Sequence, residues 1–218
     1  MMTALVPMKE HSERIPGKNL KLFHGKPLYH TIINVLLACK SISSIIVNTD
    51  SSNIINDIKK NFTNIIIHNR PSFLCGDYVS MNSIIEYDIS LLPNCRHFIQ
   101  THSTNPLIKP ETLDKAIKYY FENQGELDSI FSVSKIQTRL YWGNGIPINH
   151  DPTTLIRTQD LPIIYEENSC FYIFNRDSFF LANKKRICLR PKLYPIDKLE
   201  AIDIDEETDF ILAQSIYK

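Results

Sequence analysis

Short β-branched runs alternate along this chain with longer stretches whose apolar residues recur at helical spacing, the pattern of parallel strands joined by crossover helices. Leu5-Val6 starts the first strand. After a polar loop, Pro27 to Lys40 carries Ile32, Ile33, Leu36 and Leu37 on one helical face, and Ile45-Ile46-Val47 reads as the next strand. Thr49-Asp50-Ser51 then offers an N-cap for a helix that aligns Ile54, Ile55 and Ile58. Ile65-Ile66-Ile67 is a strand, Met81 to Leu91 a helix, and His97-Phe98-Ile99-Gln100 a strand. Pro110 opens a helix running to about Asn123, because proline at the first helical position loses no needed N–H. Ser129 to Val133 is again a strand.

From Gln137 to Asn168 the rhythm breaks. Trp142-Gly-Asn-Gly145 is turn chemistry for a hairpin, Asp151-Pro starts a second turn, and Tyr141, Trp142, Ile146 and Ile148 are more apolar than a free loop should be. The chain re-enters the sheet at Cys170-Phe-Tyr-Ile-Phe174 and ends in a helix from about Asp205 to Tyr217. There is no internal repeat. The expected fold is therefore α/β, a Rossmann-like, mostly parallel sheet with helices on both faces, plus a β-hairpin arm. Residues 1–218 read as one domain, with the arm at about 137–168.

Charge narrows the partners: Lys plus Arg and Asp plus Glu both number 24, so no overall field draws the molecule to nucleic acid or to an anionic membrane. The five cysteines are odd in number and form no C-x-x-C pair, which disfavours a disulfide framework or a thiolate zinc site. No apolar run approaches the roughly 20 residues of a membrane span, and the N-terminus lacks the basic region of a signal peptide. A reduced, soluble, cytoplasmic protein is expected.

In open α/β sheets ligands bind beyond the carboxyl ends of the strands. The first such loop, Lys9 to Lys21, carries Lys9, Arg14, Lys18 and Lys21 against Glu10 and Glu13. A flexible, basic, glycine-containing loop after a strand suits phosphate, although G-x-x-x-x-G-K-[ST] and G-x-G-x-x-G are both absent and a solvated basic loop fits too. The second cluster is Asp203-Ile204-Asp205, leading into Glu206, Glu207 and Asp209. Magnesium is commonly held by one or two carboxylates plus substrate phosphates. A helix N-terminus dressed with acids accounts for Asp205 to Asp209 but not for Asp203, which precedes the helix. His102 and Asn105 follow a strand, where they can meet a polar ligand or form an ordinary turn, and Arg70 can reach a nucleotide or stand in solvent. H-E-x-x-H and G-x-S-x-G are absent, which argues against zinc and serine-triad chemistry.

Seven segments, in order, resemble the cytidylyltransferase family of the CMP-sialic acid synthetases. They are Pro7-Met-Lys-Glu-His-Ser-Glu-Arg-Ile-Pro-Gly-Lys-Asn19, Gly25-Lys-Pro-Leu28, Ser44-Ile-Ile-Val-Asn-Thr-Asp50, Arg70-Pro71, Thr104-Asn-Pro-Leu107, Gln159-Asp-Leu-Pro162 and Ile202-Asp-Ile-Asp205. The resemblance implies transfer of CMP from CTP to a sialic-acid-like sugar acid, a nonulosonic or other 3-deoxy-2-keto acid, with release of pyrophosphate. It implies Lys9 and Lys18 as catalytic cations, with Met8, Ser12, Asn19, Arg70 and Ser80 also around the nucleotide. His102, Asn105, Arg157, Gln159, Asn168 and Tyr172 would fall on the sugar side, and Asp203 and Asp205 would hold magnesium. The 137–168 arm is similar to the one by which family members dimerise and lend residues to each other's sites.

The family pattern is broken at three places. Glu10-His-Ser-Glu-Arg14 replaces Gly-Gly-Ser-Lys-Arg, His102-Ser-Thr-Asn-Pro-Leu replaces Gln-Pro-Thr-Ser-Pro-Leu, and Ile108 stands where an arginine is usual. The first of these puts acidic groups near the expected phosphates. A metal-dependent glycosyltransferase, which also uses a D-x-D pair, and a non-catalytic nucleotide-binding homologue are the alternatives.

Overall fold

In the computed structural model, which describes residues 1–217, the first strand β1 (Met2–Met8) is apolar on both faces because both are covered. Ala4, Val6 and Met8 enter one core cluster and Leu5 the other. A small antiparallel pair follows, β2 (Leu22–Phe23) and β3 (Lys26–Pro27). The chain then alternates as α1 (His30–Ala38), β4 (Ile42–Thr49), α2 (Ser52–Asn61), β5 (Ile65–Asn69), α3 (Met81–Ser90), β6 (His97–Thr101) and α4 (Pro110–Glu122). It continues through β7 (Ser129–Ile136), β8 (Ile164–Asn175), α5 (Arg176–Leu181), β9 (Pro191–Pro195) and α6 (Glu207–Ile216).

The main sheet has seven strands in the order β5-β4-β1-β6-β8-β7-β9. All run one way except β8, which lies antiparallel between β6 and β7. Ile33 and Leu36 of α1, Ile54 and Ile58 of α2 and Ile117 of α4 pack on one face, whereas Ile85 of α3 and Phe179 of α5 pack on the other. The mostly parallel sheet with helices on both faces is thus the architecture expected from the alternation. A third cluster of Ile15, Phe23, Leu28, Ile204, Phe210 and Ala213 joins the loop after β1 to the segment before α6.

Two boundaries differ from the expectation. Strand β8 begins at Ile164 rather than Cys170, because Ile164 to Glu167 pair with Ile136 to Val133. The register slips between Phe131 and Val133, where Ser169 takes a positive φ of 58°, so a bulge divides the strand. The periodicity was interrupted by that bulge, and the segment between the strands shrinks to 137–163. The last helix starts at Glu207, because Glu206 and Asp209 form a reciprocal capping box that leaves Asp205 outside it.

Within the 137–163 segment, Trp142-Gly-Asn-Gly145 makes the expected turn: the Gly145 N–H donates to Trp142 O at 2.8 Å, with Gly145 at φ 83°. Tyr141 bridges to Pro147 in antiparallel fashion. Asn149 braces the hairpin, donating to Thr138 O at 2.7 Å and accepting from the Leu140 N–H at 3.0 Å. Tyr141, Trp142, Ile146 and Leu155 are exposed, Trp142 to 62%. All five cysteines are free, with Cys39, Cys170 and Cys188 buried. Among the described residues no helix is long and apolar enough to cross a membrane.

Candidate active site

From β1 the chain crosses over to β4 on one side, while α3 delivers it to β6 on the other side of β1. The crevice beyond the carboxyl ends of β1 and β6 is the switch point at which such sheets take ligands. A cavity of about 330 Å³ lies there. Met8, Lys9, Ser12, Lys18 and Asn19 line it from the first loop, Arg70 from the end of β5, His102 from the end of β6, and Asp203 and Asp205 from the segment before α6. Residues at opposite ends of the chain therefore share one wall.

The loop after β1 is shaped by Gly17, whose φ of 64° is left-handed, and by Ile15, which is buried in the third cluster. Together they turn Lys18 inward, leaving it only 8% exposed. Its ammonium donates to the carbonyl of Ile204 and lies 3.5 Å from Asp205 Oδ1. Arg14 Nη1 pairs with Asp205 Oδ2 at 2.9 Å, and Lys9 Nζ with Asp77 Oδ1 at 2.8 Å. The hydrogen bond from Lys9 holds the Asp77 carboxyl below the usual carboxylate range. Asn19 donates to Lys9 O at 3.0 Å and accepts from Ser103 Oγ at 2.6 Å, linking the loop to the end of β6. Glu10 turns away from the cavity: its Oε1 accepts from Ser51 Oγ at 3.2 Å, and its N–H donates to Asp50 Oδ1 at 2.9 Å. Of the two acids expected near phosphates, Glu13 remains at the mouth beside Lys9, Ser12 and Arg14.

Asp203 and Asp205 flank Ile204, which is fully buried and donates its N–H to Thr104 O at 2.9 Å. Extended backbone sends alternate side chains to one side, so an Ile204 in the core sends both carboxylates toward the cavity. Asp203 Oδ1 is buried and has no hydrogen-bond donor among the described residues. Burial raises the Asp203 pKa; the hydrogen bond to Thr104 opposes the rise and the charge of Asp205 adds to it. Among the described residues no group of three or more His, Cys, Asp or Glu is placed to hold a metal ion. An orphaned carboxylate oxygen beside a second carboxylate nevertheless fits a magnesium ion whose other ligands are phosphate oxygens and water.

Arg70 is buried and held from behind. Its Nε donates to Asn48 Oδ1 at 2.7 Å and its Nη2 to Met8 O and Asn48 O, both at 3.0 Å. Burial lowers its pKa, against the opposing charge of Asp50. Asn48 in turn donates to Asp88 Oδ1 at 2.7 Å, which His68 Nδ1 also meets at 2.7 Å. Ser80 caps α3, accepting from the Ser83 N–H at 3.1 Å, between Val79 and Met81 on the cavity wall.

Burial, with the charge of Arg186 adding, lowers the His102 pKa to about 4, so the ring is neutral at physiological pH. Its Nε2 has no partner among the described residues. Asn105 is buried, donates to Ile202 O at 3.3 Å and keeps an unpartnered Oδ1. Tyr172 is buried on β8, its hydroxyl engaged by Glu167 and Ser169, and burial pushes its pKa up to about 12. Asn168 donates to Ser134 Oγ at 3.1 Å. Arg157 and Gln159 are not brought to the cavity: Arg157 pairs with Asp160 at 2.7 Å, and the Gln159 carbonyl accepts from Gln137 at 2.8 Å, both on the 137–163 segment. Asp77 lines the cavity without having stood out in the sequence, Ser103 and Thr104 line it from a segment quoted for the resemblance but given no role, and Arg186 adjoins it. Nothing in the sequence pointed to Arg186, whose neighbours are set by contacts across the sheet.

A family model described as cytidylyltransferase matches residues 3–215. The CMP-N,N'-diacetyllegionaminic acid synthase of Legionella pneumophila subsp. pneumophila is 29% identical over 229 residues, covering 98% of this chain and 94% of that protein. A pseudaminic acid cytidylyltransferase of Campylobacter jejuni subsp. jejuni is 24% identical over 224 residues, covering 98% and 95%. Among solved structures, a CMP:2-keto-3-deoxy-manno-octonic acid synthetase complexed with CTP matches with a TM-score of 0.70 at 12% identity, covering 98% of this chain and 97% of that one. That last likeness is one of fold.

The raised pKa of Asp203 gives a stability test. A carboxyl whose folded pKa lies above its unfolded value of 3.8 opposes folding when ionised, and the penalty disappears as pH falls through the raised pKa toward 3.8. In the presence of a chelator, Asp203→Asn is expected to unfold at a higher urea concentration than the parent at pH 7, because it removes the buried charge. The gain should shrink toward pH 4. A variant less stable than the parent at pH 7 contradicts the assignment.

Proposed function

This chain belongs to the cytidylyltransferase family, and we propose that it transfers CMP from CTP to a sialic-acid-like sugar acid, a nonulosonic or other 3-deoxy-2-keto acid, releasing pyrophosphate. It is a nucleotidyltransferase. The observation that carries the proposal is the meeting, at one crevice, of the loop cations Lys9 and Lys18 with the Asp203 and Asp205 carboxylates. Relatives named for legionaminic and pseudaminic acids support the acceptor class.

In this reading the anomeric hydroxyl of the sugar acid attacks the α-phosphorus of CTP, forming the new P–O bond as the bond to pyrophosphate breaks. Such transfer depends on positioning and charge stabilisation more than on a protein nucleophile. Lys9, Ser12 and Lys18 bind the phosphates, with Lys9 exchanging Asp77 for phosphate oxygen. Exposed pairs such as Lys9 with Asp77 contribute about 1 kcal/mol or less, so the exchange costs little. Met8, Asn19, Arg70 and Ser80 shape the nucleoside side, and Arg70 is fixed there by Asn48. Asp203 and Asp205 would hold magnesium, which when bound supplies positive charge to the triphosphate. His102, neutral at physiological pH, suits a hydrogen bond to the sugar, and Asn105, Asn168 and Tyr172 would serve the same side without lining the cavity themselves.

Residues 1–218 form one catalytic domain in this reading, with the 137–168 arm as a two-fold dimer contact that carries Arg157 and Gln159 toward the partner's site. The exposed Tyr141, Trp142, Ile146 and Leu155 support it, since clustered exposed apolar surface marks an interface.

Pyrophosphate release, followed with magnesium across N-acetylneuraminate, its bacterial relatives and 3-deoxy-manno-octulosonate, tests the reaction. CTP should support release far better than ATP or GTP, and Asp203→Asn should lower turnover at least tenfold, about 1.4 kcal/mol of barrier. Equal use of the three nucleotides overturns the reading. A free nucleotide in place of pyrophosphate identifies the glycosyltransferase, and CTP binding without turnover the non-catalytic homologue. Sedimentation at micromolar concentration should give twice the chain mass of 25.3 kDa; a monomer contradicts the arm's role.

A further inference from the structure

Arg186 has no part in the chemistry above, yet its surroundings are those of a ligand contact. It follows α5 in the run Asn183-Lys184-Lys185-Arg186, in which Asn183 and Lys184 take positive φ values of 54° and 60°. That turn folds the chain back onto the sheet beside Tyr172. The guanidinium carbon lies 3.7 Å from the centroid of the Tyr172 ring, and Nη1 donates to Gln100 Oε1 at 2.6 Å. Among the described residues no carboxylate forms an ion pair with it. Glu167, the acid whose charge reaches it, is bonded to the Tyr172 hydroxyl.

The position adjoins the cavity. Gln100 and Tyr172 are partners across β6 and β8, and His102, just beyond the end of β6, is near enough to feel the charge of Arg186. His102 lines the cavity and keeps its unpartnered Nε2. The backbone N–H of Arg186 donates to Asn82 Oδ1 at 3.4 Å, next to Met81 on the cavity wall.

A half-buried guanidinium held by one neutral acceptor and one ring face has N–H groups to spare, and desolvating it without an anion is costly. Its planar fork is matched to a carboxylate or a carbonyl oxygen. We propose that Arg186 is a specificity-determining residue of the acceptor subsite, where its free N–H groups grip an oxygen of the sugar acid beside His102. That oxygen belongs to the carboxylate or to an acylamido substituent. The inference rests on the acceptor class given under Proposed function.

Steady-state pyrophosphate release tests it with Arg186→Met and Arg186→Lys, using N-acetylneuraminate, the analogue with hydroxyl in place of acetamido, and 3-deoxy-manno-octulosonate. The acceptor KM should rise at least tenfold in Arg186→Met and less in Arg186→Lys, which keeps the charge but loses the fork, while the KM for CTP holds. A rise shared by all acceptors identifies the carboxylate, and a rise confined to N-acetylneuraminate identifies the acylamido group. An acceptor KM within twofold of the parent's in Arg186→Met, or acceptor and CTP constants moving together in both variants, overturns the assignment. No turnover by the unaltered protein with any sugar acid overturns instead the acceptor class, and this inference with it.

Discussion

The ammonium of Lys18, buried against the carbonyl of Ile204 and beside the carboxylate of Asp205, ties together residues 186 positions apart. A buried cation needs partners, and a carbonyl with a loosely placed carboxylate supplies them without saturating it. Ile15 and Ile204, one on each side of this contact, share a cluster with Phe23 and Phe210. The apolar contact and the polar one thus reinforce each other, fixing the first loop over the crevice and the acidic segment along its wall. Without them the loop would be free to leave the sheet and Asp203 would lose its place beside Thr104.

The other charges near the crevice are held more lightly. Lys9 rests on Asp77 and Arg14 on Asp205, in exposed pairs worth about 1 kcal/mol or less. Glu10, which reads as an unfavourable neighbour for phosphate, instead meets Ser51 at the start of α2. Asp203 differs in kind, because burial has already raised its pKa and left Oδ1 without a donor. Arg70 differs again: Asn48, anchored by Asp88, holds it from behind, so it acts as a fixed wall more than as a mobile charge.

Much of this was legible along the chain. The strand and helix sequence followed from alternation, from Ser51 as the cap of α2 and from Pro110 opening α4, whereas the Ser80 cap of α3 emerges only in the structure. The basic loop and Asp203-Ile204-Asp205 stood out by composition, and the fold brings them to one crevice. What stayed hidden depends on contacts across the sheet. The start of β8 at Ile164 was masked by the bulge at Ser169, which breaks the period of two. Arg186 lies in Asn183-Lys184-Lys185-Arg186, a run indistinguishable from a basic surface turn until the pairing of Gln100 with Tyr172 sets its neighbours. Asp77 carries no pattern of its own, and only the approach of its loop to Lys9 gives it a partner.

A crystal structure of the protein with CTP and magnesium tests the central claim most directly, that the first loop and the acidic segment form one polyphosphate site. The triphosphate is expected between Lys9, Ser12 and Lys18 on one side and the Asp203 and Asp205 carboxylates on the other, with Lys9 released from Asp77. A nucleotide bound elsewhere, with Lys9 still on Asp77 and Lys18 still engaged only by Ile204 and Asp205, would contradict it.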